Sequence, residues 1–467
     1  MGKWISAIGA ALLLAALTPA QAEVMSKTYA DGAIYEGAFE QGLQHGVGTF
    51  RRPDGFEYSG EWASGQMHGA GIARYPSGAV YNGTFAAGQP DGSGKITYAD
   101  GSSYDGAWRA GTITGNGRAI YASGDVYEGA FLDGQHHGAG VLTQSTGFSY
   151  VGSWVGGKMQ GAGKITYPSG AVYDGQMHAD LPQGIGRLTA PDGAQYMGGW
   201  RAGVIEGAGT LTEVDGTTYD GAFKAGLRHG KGRLTFANKD LYEGDFAADL
   251  RHGLGTFTAS DGRVMSGTWV EGALSGQGQL RYIKGDVYQG ALLDGIPHGR
   301  GEMIYKSGAR FDGQWVSGIQ QGQGTATYPD GAQYQGTFAA GQPHGIGVML
   351  YPNGAQYVGL WAKGAREGAG KIAGGSDGLT YQGGFRMGLY HGQGQMTLAD
   401  GFDYLGGWAG GLMQGKGTVR YANGDSYQGE FLSGLRDGRG IMTLKDGTVQ
   451  SGIWRADDLK APDQVFP

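Results

Sequence analysis

Residues 35–48 read YEGAFEQGLQHGVG, and residues 334–347 read YQGTFAAGQPHGIG. Taken from Tyr35, this pattern restarts every 23 residues, at Tyr58, Tyr81, Tyr104 and onward to Tyr357, with Met265 and Phe311 in two of the places. One residue is inserted near Gly374, and the frame resumes at Tyr381, Tyr404, Tyr427 and Gln450, giving eighteen full repeats and one half. Gly stands two places after every start, from Gly37 to Gly452, and an aromatic stands four places after all but two, where Met177 and Leu292 replace it. Side chains zero, two and four places along a strand share a face, so one face reads aromatic, glycine, aromatic. The other face takes Glu36, Asn82, Asp105 and Glu128 one place along and Ala38, Thr84 and Ser153 three places along. That composition predicts a solvated surface.

A second strand is expected to begin at the glycines eleven and thirteen places after the start, such as Gly46 and Gly48 or Gly230 and Gly232. Place fifteen is apolar in every full repeat, as at Phe50, Ile96, Leu142 and Val419. Between repeats lie two-residue signals, Asp54-Gly55, Asp192-Gly193 and Asn423-Gly424 among them, which predict tight hairpins because both residue types adopt positive φ cheaply. The face of rings needs positions without a Cβ, so Gly37, Gly60, Gly83, Gly106, Gly221 and Gly336 are read as structural, each lying under a ring. The fold class is therefore all-β: an elongated single-layer antiparallel sheet of stacked 23-residue hairpins, ~170 Å long before twist. Its stability is expected to come from nearest-neighbour repeats.

Composition agrees. Of 467 residues 98 are Gly and 13 Pro, while 16% are charged, against roughly 25% in an average chain. The glycines follow no three-residue period, which excludes collagen. The 53 aromatic residues are far more than a solvated, disordered chain carries.

The pattern YxGxFxxGxxxGxG resembles the MORN repeat (membrane occupation and recognition nexus) family over residues 29 to about 454. The resemblance implies hairpins stacked into one long sheet, with roles in binding phospholipid head groups, in scaffolding other proteins and in dimerisation through terminal repeats. Some members carry a kinase or methyltransferase domain, whereas here repeats fill the chain. The lipid role fits poorly, because segments such as GQPDG, GTITG and GIQQG before the second glycine pair hold few cations; Lys158, Arg228, Arg251, Arg366 and Arg436 are sparse exceptions.

Residues 1–22 read as a secretory leader: Lys3, an apolar run from Ile5 to Leu17, and Ala20-Gln21-Ala22 before a cleavage point at Glu23. The division expected is a leader over 1–22, a repeat array over 23–454 and a C-terminal tail over 455–467. Export places the chain in the periplasm of a bacterium or outside the cell. The absence of Cys excludes disulfides and thiolate chemistry. A net charge of −7 makes no electrostatic case for nucleic acid.

Eight His share one place in the repeat, His45, His68, His137, His229, His252, His298, His344 and His391, read here as a turn. Equivalent turns lie ~9.5 Å apart, so no more than two could meet at a metal. Carboxylates recur with the period and form no unique pair, so neither catalytic residues, a metal nor a cofactor is expected. The functional surface expected is the aromatic face, with Trp62, Trp108, Trp154, Trp200, Trp269, Trp315, Trp361 and Trp408 edging a long open groove. The function expected is a non-catalytic scaffold that binds a protein partner or pairs with itself through the strand edge left at Gln450–Trp454. The alternative is binding of cell-wall glycan or a phospholipid head group on the aromatic face.

Overall fold

The computed structural model describes residues 24–463; the expected leader lies outside them. They fall into two compact units, one ending at Val214 and the other beginning at Asp215. The described residues hold 39 strands and no helix, and every strand pairing is antiparallel. In the first unit the strands run from Met25–Thr28 to Val204–Thr212, and in the second from Thr218–Lys224 to Asp458–Pro462, each strand in register with its chain neighbours.

Each repeat is a seven-residue strand followed by a nine-residue strand, as in Ile34–Glu40 and Leu43–Arg51. The turn inside the repeat is Gln41-Gly42, with φ of 53° and 81°. Positive φ at both residues is the two-residue turn whose twist matches its strands. The second strand therefore starts at Leu43, ahead of the expected Gly46, and the row of eight His lies within strands. The connection between repeats is also not the two-residue hairpin expected. Arg52 N–H donates to Phe56 O at 2.8 Å, leaving a three-residue loop, Pro53-Asp54-Gly55, with Gly55 at φ 93°. Asp54 Oδ1 accepts from Phe56 N at 3.0 Å, which holds the loop closed. Lys239 takes the same left-handed position at φ 72° without being glycine.

Within the hairpin, Gly37 pairs with Gly48 and Phe39 with Gln44, so the longer strand carries two extra residues around Gly46, at φ 66°. A bulge of this kind, repeated along the chain, bends each hairpin locally.

Tyr35 folds over the glycine pair beneath it. A Cβ at Gly37 would lie 2.5 Å from the Tyr35 hydroxyl oxygen, and one at Gly48 closer still, so no other residue fits. The Tyr35 hydroxyl then donates to Ala38 O at 3.0 Å, a bond repeated by Tyr58 to Glu61 O and by Tyr242 to Asp245 O. Rings meet edge to face. Tyr35 packs against Phe39 at 5.0 Å and against Trp62 of the next repeat at 5.2 Å, and Tyr58 continues to Phe85 at 4.8 Å. Such contacts add ~0.5–1.5 kcal/mol each beyond burial. In place of a second layer, the sheet lays its own rings down as a lid.

The tail also differs from expectation. Asp458–Pro462 forms a further strand on Val449–Arg455, so the edge at Gln450–Trp454 is paired. Asp463 N donates to Ser451 O at 2.8 Å, and Asp463 accepts from Arg439 at 2.9 Å.

The two faces predict different mutational outcomes. At Gly221 a Cβ would lie 2.6 Å from Gly232 Cα and closer still to the Tyr219 hydroxyl, whereas Ala222 is half-exposed on the opposite face. Gly221→Val is expected to destabilise the second unit by about 3 kcal/mol through overpacking, and Ala222→Val by under about 0.5 kcal/mol. Thermal melts of the two variants measure this, and equal shifts would contradict the face assignment.

Candidate functional site

The eight tryptophans expected to edge an open groove are closed in. Trp62, Trp108, Trp154, Trp200, Trp269, Trp315, Trp361 and Trp408 are only 2–9% exposed. Each indole N–H also donates to a glycine carbonyl of the preceding repeat, from Trp315 to Gly301 O at 2.9 Å to Trp154 to Gly140 O at 3.4 Å. With the rings buried and the N–H groups engaged, these tryptophans offer no open platform for a sugar or a lipid head group. The reason is the edge-to-face contact with the tyrosines, which are buried and whose phenols burial pushes up, to about 12 at Tyr58, Tyr81 and Tyr334.

Variation on this side is concentrated at the ninth place after each start, directly across from the large aromatic. Gln44, Met67, Pro90, His136, Met159, Arg228 and Tyr390 all occupy it. His136 is stacked on Tyr127 at 3.6 Å with an interplanar angle of 8°, lies edge-on to Trp154 at 4.8 Å, and shares a 2.6 Å hydrogen bond between Nε2 and the Tyr121 hydroxyl. Burial lowers its pKa to about 4. It differs in setting from the row of eight, which faces outward, exposed or half-exposed. Among the described residues no three His, Asp or Glu side chains converge to hold a metal ion.

The outward face is the open one. Three clefts lie on it in the second unit, each between outward side chains and floored by backbone that includes paired glycines. The largest, about 490 Å³, is lined by His298, Arg300, Asp312, Gln314, Gln323 and Gln335. The others, about 400 and 420 Å³, are edged by Lys231, Glu243 and Thr256, and by Lys416, Gln428 and Arg439. Between the largest and the last of these, the polar face turns apolar. Ile346 pairs across strands with Leu360 and Val348 with Val358, while Leu350 lies beside them. Ile346 is 72% exposed, and Leu350, Val358 and Leu360 are 42–44% exposed. Corresponding places elsewhere hold Glu61, Thr49 and Ser59, and single apolar residues such as Val47 and Leu254 or the pair Val141 and Val151 stand there without a second apolar pair beside them. A reading by period alone passes over this patch, although its signal is present: Ile346, Val348 and Leu350 fill three successive outward places of one strand, and Val358 and Leu360 fill two of the next.

Eighteen segments of the chain, from residues 35–56 to residues 427–449, match the family described as MORN repeat. No curated protein sequence matches the chain. Among solved structures, the wild-type TCP10 domain of Danio rerio CPAP aligns over 52% of this chain and 99% of that one, at 13% identity and a TM-score of 0.20. The TCP domain of Drosophila melanogaster SAS-4, solved with a proline-rich motif of Ana2, aligns over 42% and 88%, at 14% identity and a TM-score of 0.20. A streptogramin B lyase aligns over 57% and 81%, at 11% identity and a TM-score of 0.11.

The buried imidazole gives the first unit a pH signature. Because the folded state lowers the His136 pKa from 6.5 to about 4, its contribution is complete above pH 6.5 and is lost as the pH falls from there toward 4. His136→Met, the residue of the equivalent places Met67 and Met159, is expected to flatten the melting temperature across this window relative to the parent. Identical slopes for the two proteins would show that the imidazole is not buried as described.

Proposed function

Because this chain belongs to the MORN repeat family, we propose that it is a non-catalytic scaffold, exported to the periplasm or beyond the cell, that docks a protein partner on its outward face. The chain is a repeat scaffold by construction: its glycines and rings recur to build the sheet, and nothing in them changes from repeat to repeat in a way that chemistry would need. Export rests on the leader pattern of Lys3, the apolar run and Ala20-Gln21-Ala22. The observation that carries the partner reading is the patch of Ile346, Val348, Leu350, Val358 and Leu360. Exposed apolar side chains set in cross-strand contact, with polar clefts to either side, are how protein-binding surfaces are built.

Self-association is the weaker reading. Its expected edge at Gln450–Trp454 is covered, and the strand now outermost, Asp458–Pro462, carries Lys460 and ends in Pro462, both of which oppose further strand pairing.

A photo-crosslinking residue at position 346 in the mature protein, expressed in its native envelope, is expected to capture one discrete protein. The same residue at position 243, on the same face in a polar setting, is expected to capture none. Ile346→Glu combined with Leu360→Glu should abolish capture from a crosslinker at position 358 while leaving the melting temperature unchanged. Equal capture from positions 346 and 243, or capture that survives the double change, would count against the patch as the docking site.

A further inference from the structure

A sheet built from equal repeats offers equal surroundings at every repeat, so a site for one particular small ligand has to arise where the period fails. It fails between Ala365–Ala373 and Thr380–Arg386, which are joined by six residues, 374–379, where the neighbouring connections use five. Gly374 also takes the place that the three repeats before the break give to Tyr305, Tyr328 and Tyr351. A missing ring and a longer loop together leave a cleft of about 450 Å³, within the range of small-molecule sites. Tyr351, Pro352, Ile372 and Leu379 supply its apolar wall, and Arg366 and Asp377 supply charge.

Arg366 is what the cleft offers to a ligand. Four repeats place Arg at the ninth position. Arg228 is paired with Asp249 at 3.2 Å and Arg436 with Asp457 at 3.0 Å. In the repeat after Arg366 the matching place is Gly388, and among the described residues no carboxylate stands within ion-pair distance of this guanidinium. It donates once, to Gly388 O at 2.6 Å, and lies 5.1 Å from the Phe385 ring and 5.7 Å from the Tyr357 ring. A guanidinium has five N–H donors in a planar fork, so most of its capacity is left for something the chain does not provide. Arg251 likewise lacks a carboxylate, but it presses onto Trp269 at 4.2 Å and its following loop has the ordinary length.

We propose that the cleft beside Arg366 is a binding site for a small organic carboxylate, with its carboxylate on the guanidinium and its apolar portion against Tyr351 and Ile372. Asp377 sets the selectivity. A second anion lining the same cleft disfavours multiply charged ligands such as phosphate and leaves room for a single negative group, whose bidentate pairing with Arg is geometrically specific.

The test uses the full mature protein and isothermal calorimetry with 3-phenylpropanoate, its neutral amide 3-phenylpropanamide, and inorganic phosphate. The carboxylate is expected to bind at one saturable site, and the amide and phosphate at least about tenfold more weakly, the equivalent of about 1.4 kcal/mol. Arg366→Gln is expected to abolish binding and Arg251→Gln to leave it intact. Leu379→Trp fills the cleft without touching Arg366, so it should also abolish binding while the melting temperature holds, which separates loss of the site from loss of the fold. No saturable binding of the carboxylate, equal binding of the amide or of phosphate, or binding retained by Arg366→Gln or Leu379→Trp would overturn the assignment.

Discussion

A tyrosine ring lying on two facing glycines is the contact on which the rest of this molecule depends. Tyr35 over Gly37 and Gly48 occupies the space that two Cβ atoms would need, and the arrangement recurs at Tyr58, Tyr127, Tyr242 and Tyr427. Sheets ordinarily bury an apolar face against another layer. Here the ring is the second layer, held down at its hydroxyl by a carbonyl three residues on and clamped from the sides by the large aromatics of its own and the following repeat. Because most of the large aromatics touch rings of two repeats, as Trp62 touches Tyr35 and Tyr58 and Phe338 touches Phe311 and Tyr334, these hairpins do not complete their cores alone. Where the tyrosine is replaced, the partner adjusts: at Met265 the glycine pair is Gly267 and Gly278, and a Cβ at Gly278 would meet Leu292 in place of a phenol.

This use of the rings divides the labour between the faces. The aromatic side is committed to folding, and within the strands its widest variation is at the ninth place, where Met, Pro, His, Arg or Tyr can fill the same gap between rings. The outward side carries almost no folding constraint beyond strand propensity, and its residues differ from repeat to repeat. An apolar patch at Ile346 to Leu360 is therefore informative in a way that a buried tryptophan is not: nothing in the hairpin requires it. Residues 374–379, where the period itself gives way, are informative on the same ground.

Much of this was legible in the sequence because strand periodicity and a 23-residue repeat constrain each other. Tyr, Gly and Trp at even spacing specified the shared face, and the glycines specified where rings must lie. Turn geometry was less legible. Asp54-Gly55 and Gln41-Gly42 both end in a left-handed glycine, but only the second has positive φ at its first residue, and that depends on how the flanking strands pair. Placing the second strand at Gly46 failed because Gly46 sits in a bulge that a residue pattern does not reveal, and it put the His row in a turn when it lies in strands. The open tryptophan groove is not found for a different reason: on sequence grounds a single layer leaves its rings uncovered only if ring-on-ring packing is ignored, and edge-to-face contacts and the indole bonds to glycine carbonyls close them. The strand Asp458–Pro462 was missed because it breaks the repeat pattern, pairing through its backbone and the anchor from Arg439 to Asp463.

The central claim is that the ring face covers itself and leaves the outward face to do the binding. Iodide quenching of tryptophan emission in the protein lacking residues 1–22 tests it most directly, since the repeat tryptophans lie on the ring face. Self-covered rings predict blue-shifted emission with quenching far below that of the same protein unfolded in denaturant. Emission at the wavelength of free tryptophan, quenched as strongly folded as unfolded, would mean that the aromatic face stands open and that the outward face is not the working surface.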